Sequence, residues 1–282
     1  MSYAGFYINL DRSTARRAEM EAEFARFGLE RSYRRFPGAD GNTLGFPNPH
    51  LTASEMGCFT SHYRVLKENS GSTKHLHILE DDAVLSRFTA EAVNSIVASE
   101  VIRDHDVVFT DTLIQPLNAD YRTCKALYDR SVRRDGGGKV TGIDPSFIEP
   151  NSCATSYIVN RDSIGKLVAI YEQELAAGAR VNADLVLRDK ARDGAIRTVC
   201  VFPFVTSFRL ERLTSDTITG RPHDPLSDLA INLARHSFFV DSDPASLLRT
   251  AERLLPLPRG DAHFDLLNRV LGFSMTGQFQ RF

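Results

Sequence analysis

Apolar residues along this chain follow two rhythms. Short runs rich in β-formers occur at 3–10, within 74–85, at 106–110, at 154–159 and at 199–205. Between them lie longer stretches whose apolar positions recur every three or four residues, the spacing of a helix with one buried face. The first run is followed at once by such a stretch. Asp11 and Ser13 are placed to cap it, Met20, Phe24 and Phe27 share a face, and Gly28 is placed to end it. Thr52-Ala-Ser-Glu55 matches a capping box and predicts a helix through about residue 69. Further helices are predicted at 89–101, after Asp162, and from an N-cap at Asn182. Strands alternating with helices predict an α/β domain built on one mainly parallel sheet.

Other segments carry weaker patterns. Residues 34–49 are dense in Pro, Gly, Asn and Asp and read as a long loop, of the kind that often serves function. Residues 112–150 show no clear period, and 133–139 reads as a flexible turn suited to a lid over a substrate. Pro203 inside the last apolar run suggests an edge strand or a chain exit. Helices near 225–236, 244–255 and 261–271 predict a helical extension over 221–282, packed on a main domain of residues 1–220.

Composition narrows the function classes. At 282 residues, 42% hydrophobic and 25% charged, the chain has enough apolar material for a large core. A formal net charge of −2 gives no global reason to expect a nucleic-acid partner. No stretch approaches 18 consecutive apolar residues, and the N-terminus lacks a basic segment followed by an apolar one, so a cytoplasmic location is expected. Cys58, Cys124, Cys153 and Cys200 are scattered with no Cys-x-x-Cys pair. Reduced thiols are expected, and a zinc site is not.

Candidate chemistry centres on Glu80-Asp81-Asp82, where an apolar run containing Ile78 stops on three carboxylates. Like charges side by side are costly to bury, and a divalent cation would resolve the conflict, since hard oxygen ligands suit Mg²⁺ or Mn²⁺. A solvated acidic turn is the alternative. Arg12, Arg16 and Arg17 cluster at the start of the first helix, either as a solvated face or as a phosphate contact. Ser61 and His62 are polar positions within an otherwise apolar helix face, and His62 also fits a structural hydrogen bond. Asp184 falls in the first turn of its helix, where the helix dipole alone would favour a carboxylate.

Taken in order, these segments resemble glycosyltransferase family 25, the lipopolysaccharide and lipooligosaccharide galactosyltransferases related to collagen galactosyltransferase domains. Tyr7-Ile-Asn-Leu-Asp11, with Ser13 and Arg16, is similar to the family's opening motif. Arg35-Phe-Pro-Gly-Ala-Asp-Gly41 resembles its arginine–alanine–aspartate–glycine segment, and Glu55-Met-Gly-Cys-Phe-Thr-Ser-His62 its glycine–cysteine–x–x–serine–histidine helix. Leu79-Glu-Asp-Asp-Ala83 resembles its acidic strand end, and Thr155-Ser-Tyr157 and Asn182-Ala-Asp184 its later motifs. Ala154 stands where the family usually has Gly, and no motif matches after about residue 222.

The resemblance implies a GT-A type nucleotide-sugar transferase fold and an inverting enzyme. It further implies a UDP-sugar donor (usually UDP-galactose), Mn²⁺ or Mg²⁺, and a glycan or lipid-linked glycan acceptor such as a lipopolysaccharide core, with peripheral membrane contact open. Carried onto this chain, Asn9, Asp11, Arg12, Arg16, Asp40, Ser61, His62 and Asp81 are the expected donor-binding residues. Asp82 and Glu80 are the expected metal ligands. Asp184 is the leading base, with Asp111 and Glu149 as runners-up. A sugar-nucleotide nucleotidylyltransferase and a non-catalytic sugar-nucleotide-binding relative are the alternatives. The first is disfavoured because Gly5 is the one glycine in residues 1–20.

Overall fold

The computed structural model describes residues 3–45, 48–114, 117–209 and 225–254, with a few positions between 262 and 270. Strand β1 (Tyr3–Asn9) leads into helix α1 (Thr14–Arg26), and the parallel strand β2 (Tyr33–Pro37) follows. Helix α2 (Ala53–Glu68) crosses to the other side of β1 and delivers β3 (His75–Glu80), also parallel. Along β1 successive side chains point to opposite faces. Phe6 packs with Phe36, Phe59 and Leu66 on one face, while Tyr3 and Tyr7 pack with Met20, Phe24 and Tyr33 on the other. The two helices therefore cover opposite faces, and the chain reverses direction across the sheet between β1 and β3. Such a switch point opens a crevice at the carboxyl ends of the strands.

Beyond β3 the chain forms β4 (Ala83–Leu85), helices α3 (Thr89–Ala98) and α4 (Glu100–Asp104), and β5 (Val107–Phe109). Helix α5 (Leu117–Ser131) precedes the hairpin of β6 (Val132–Arg134) and β7 (Val140–Ile143), then β8 (Ser146–Ile148) and β9 (Ser156–Val159). Helices α6 (Ile164–Ala176) and α7 (Ala183–Arg192) lead to β10 (Thr198–Phe202) and β11 (Thr206–Phe208). The principal sheet runs β2-β1-β3-β9-β5-β10-β8, with β9 and β8 antiparallel to their neighbours. The α/β expectation of one mainly parallel sheet holds.

Several local expectations change in the structure. Residues 34–37 are strand rather than loop, because β2 docks Tyr33 and Phe36 on opposite faces beside β1, with Arg34 toward solvent and Arg35 donating to the Asn9 side chain and carbonyl at 2.9 Å. The helix expected at 89–101 breaks at Ser99, whose extended backbone and hydroxyl cap a second short helix instead. Asp162 does not cap α6; it lies in a 3-10 turn (Arg161–Ser163) that runs into the helix and is itself capped by Asn160, whose side chain accepts from the Asp162 N–H at 3.1 Å. Strand β10 lies between β5 and β8, so it is interior, and Pro203 marks only the chain exit. The turn at 133–139 is a hairpin end tied by the Asp135 carboxylate, which accepts from Gly137 and Lys139 N–H groups at 3.0 and 2.9 Å.

The boundary expected near 220 falls outside the described residues. After it come α8 (Pro225–Ser237) and α9 (Pro244–Leu254); the third helix expected at 261–271 lies mostly outside the described residues. Phe238 and Val240, just past α8, are buried in the two core clusters. The Val240 N–H donates to the Phe204 carbonyl at 3.0 Å, and the Phe204 N–H to the Phe238 carbonyl at 3.1 Å. Among the described residues, no helix is long and apolar enough to cross a membrane.

Candidate functional site

A cavity of about 390 Å³ opens at the carboxyl ends of β1 and β3. Helix α2 forms one wall, and its start is fixed by the expected capping box. The Thr52 hydroxyl accepts from the Glu55 N–H at 3.3 Å, and the Glu55 carboxylate accepts from the Thr52 N–H at 2.8 Å. Gly57 lets the helix ride against the loop after β2, since a Cβ there would stand 2.6 Å from the Ala39 carbonyl oxygen. Ser61 clamps the same contact. Its hydroxyl accepts from the Ala39 N–H at 2.8 Å and donates to the Gly57 carbonyl at 2.6 Å. Ser61 thus shapes the wall of the cavity, and His62 and Cys58 follow from the same helix face.

The three carboxylates have different surroundings. Glu80 receives His62 Nε2 at 3.2 Å and Cys58 Sγ at 3.6 Å, both on Oε1. Burial raises its pKa, but the His62 and Cys58 hydrogen bonds and the Arg235 charge outweigh that and leave it below the usual value. Asp81 accepts from Asn9 Nδ2 at 2.7 Å and pairs with Arg16 at 3.0 Å. Burial still leaves it above the usual carboxylate range. Asp82 forms no ion pair among the described residues, and its buried Oδ1 has no hydrogen-bond partner. Burial first, then repulsion from Glu80 and Asp81, pushes it up to about 7.

Asp184 stands across the cavity in the first turn of α7. Burial and the Glu80 charge raise its pKa against hydrogen bonds from its own and the Leu185 N–H. Asn182 holds the N-cap position but makes no capping bond, and its Oδ1 has no partner. Arg12 pairs with Asp40 at the rim, and that pair is half open to solvent. The remaining wall comes from α8, whose buried Arg235 pairs with Asp111 just past β5.

The expected residues mostly converge. Asn9, Arg12, Arg16 and Asp40 line the cavity from the β1 and β2 side, Ser61 and His62 from α2, Glu80, Asp81 and Asp82 from β3, and Asp184 from α7. Asp11 does not line it; its side chain is 83% exposed and pairs with Arg35 at the edge. Of the runners-up for the base, Glu149 is exposed and away from the cavity, and Asp111 is wholly buried under Arg235. Cys58, Asn182 and Arg235 also line the cavity but were not among the expected site residues. Cys58 carried a signal, because Cys-x-x-x-His on a helix places both side chains on one face. Arg235 carried none, since its partner lies 124 residues away.

The donor set fits a divalent cation. Glu80, Asp82 and Asp184 line the same cavity, Asp82 keeps an unpartnered buried oxygen, and neither Asp82 nor Asp184 has a cationic partner among the described residues.

Two curated fruit-fly proteins, each described as "Glycosyltransferase 25 family member", share parts of this chain. The one from Drosophila pseudoobscura pseudoobscura is 32% identical over 124 residues, 37% of this chain and 20% of that protein. The one from Drosophila melanogaster is 34% identical over 96 residues, 27% of this chain and 15% of that protein. The chain thus spans a fifth or less of these relatives. Among solved structures, A197 from STIV aligns at 12% identity and TM-score 0.35, covering 72% of this chain and 85% of that one. The galactosyltransferase LgtC with donor and acceptor sugar analogues aligns at 11% identity and TM-score 0.33, covering 65% and 69%. Likeness at that level says nothing about substrates. The family described as "Glycosyltransferase family 25 (LPS biosynthesis protein)" matches residues 4–186, the stretch that supplies both carboxylate walls of the cavity, and the chain belongs to that family.

Proposed function

We propose that this chain is an inverting glycosyltransferase that moves a hexose, galactose foremost, from a UDP-sugar to a hydroxyl of a glycan acceptor. One observation supports this reading above the others. Carboxylates a hundred residues apart in sequence, Glu80–Asp82 and Asp184, face one cavity at the switch point of the sheet. The acceptor oxygen attacks the anomeric carbon, the bond from that carbon to the UDP oxygen breaks, and the acceptor's proton passes to Asp184. The raised proton affinity of Asp184 suits a base. Asp82 and Glu80 would hold Mn²⁺ or Mg²⁺, which when bound neutralises charge on the diphosphate. Arg16 holds Asp81 in place, and Arg12 lies at the rim where a diphosphate would enter.

The family's description as lipopolysaccharide biosynthesis proteins supports a lipid-linked glycan acceptor and action at the inner face of the cytoplasmic membrane. Incubation with UDP-galactose and Mn²⁺ tests the reading. Slow release of UDP and galactose is expected, and Asp184→Asn is expected to cut it by roughly 10²-fold or more while UDP still binds. Near-normal turnover in that variant rules out Asp184 as the base. UTP formation from pyrophosphate would instead make the chain a nucleotidylyltransferase.

A further inference from the structure

We propose that Cys58, His62 and Glu80 form a binding site for a borderline divalent metal ion, zinc foremost, in the wall of the cavity. The two helix residues are four apart on α2, so the thiol and the imidazole project from one face, and the end of β3 brings the carboxylate against them. The three donor atoms all lie within 4.8 Å of one another. Bond lengths of about 2.3 Å for Zn–S and 2.0–2.1 Å for Zn–N and Zn–O make the edges of a tetrahedral site roughly 3.3–3.6 Å. The observed edges are 3.2 Å from His62 Nε2 to Glu80 Oε1 and 3.6 Å from Cys58 Sγ to the same oxygen.

The surroundings match as well. His62 Nδ1 is hydrogen-bonded to the Tyr157 hydroxyl at 2.8 Å, which fixes the ring and leaves Nε2 for the ion. Metal-bound histidines are commonly held this way by a partner on their other nitrogen. Three protein ligands leave a fourth position open to the cavity, the pattern of zinc sites that bind an exchangeable group. Asp82 and Asp184 add negative charge beside it. The thiol would lose its proton to solvent as the metal–sulfur bond forms. A thiolate and an imidazole select zinc or cobalt over magnesium, so this donor set differs from the oxygen ligands proposed for Mn²⁺ or Mg²⁺ at Asp82, with which it shares Glu80 alone. Glu80 is a ligand in both proposals, so the test reads the Cys58 thiolate, which the proposed transfer reaction does not use.

Cobalt(II) absorption on the full chain, stripped with chelator, tests the site with metal alone. One equivalent should bind with a thiolate-to-cobalt charge-transfer band in the near ultraviolet, and Zn²⁺ should abolish that band by displacement. Cys58→Ser should remove the band while the metal-free protein melts at the wild-type temperature. Tyr157→Phe keeps the buried ring and should weaken Co²⁺ by roughly 10- to 100-fold. Asp82→Asn should leave the band in place. Cobalt bound without a thiolate band, a band that survives Cys58→Ser, or no binding at all would each overturn the site and leave only a hydrogen-bonded thiol, imidazole and carboxylate.

Discussion

His77 lies at the centre of β3 with no exposed surface, its Nδ1 2.6 Å from the Tyr33 hydroxyl and its Nε2 3.0 Å from the Ser156 hydroxyl. Burial lowers its pKa to about 3, so the folded chain holds it neutral. Unfolded, it titrates near the ordinary value of about 6.5. Between those values the unfolded chain binds a proton that the folded chain refuses. This contribution to stability is intact above about pH 6.5 and shrinks as pH falls, by up to ~1.4 kcal/mol per unit. From pH 7 to pH 5 the wild type should therefore lose about 2 kcal/mol more than His77→Gln in urea titrations. Equal losses in the two chains would mean that His77 is charged in the fold. At this scale the sequence was legible for identity but not for role. The acidic triplet stood out, yet only the turn after β3 decides that Asp81 meets Asn9 and Arg16 while Asp82 is left unpartnered.

Among the elements, α2 was the most legible and carries the most of the site. Its capping box is a local signal, and local signals survive folding. Strand β2 was hidden because two of its five residues are arginines, Arg34 facing water at the sheet edge and Arg35 bonded to Asn9, so its apolar alternation is broken. Helix α5 was hidden because polar residues dominate its count, so its narrow core-facing stripe of Tyr121, Cys124, Leu127 and Tyr128 was masked. The close contact between α2 and the loop after β2 gives a prediction. In Gly57→Ala the new methyl would meet the Ala39 carbonyl oxygen at 2.6 Å and the Gly41 nitrogen at 2.8 Å, both backbone atoms that cannot rotate away. The helix must shift from the loop that carries Asp40, at a cost of about 1–3 kcal/mol. Chemical denaturation should show that loss, and under the proposed function calorimetry should show weaker UDP binding, because Ser61 and His62 move with the helix. Unchanged stability would mean that the wall yields without strain.

At the scale of the whole molecule, the cavity depends on chain from beyond the matched stretch. Arg235 of α8 and Asp111 are both buried, 4% and 0% exposed at the side chain, and they pair directly. Phe238 packs against Phe202 with ring centroids 5.5 Å apart, and the 238–240 backbone bonds to Phe204. No sequence pattern near Asp111 or Arg235 announces this, since a pair separated by 124 residues is a property of the folded chain alone. Removing one partner strands the other charge in the core, so Arg235→Met should cost about 3–5 kcal/mol. Replacing both, as in Arg235→Met with Asp111→Leu, removes the stranded charge and should recover most of that loss. Urea midpoints of the two single variants, the double variant and the wild type measure the coupling. Deleting residues 221–282 should behave like the Arg235→Met single variant with further loss, because it strands Asp111 and also uncovers Phe202 and Phe204. If the shortened chain instead unfolds at the wild-type midpoint, residues 1–220 are an independent domain and α8 only rests upon it.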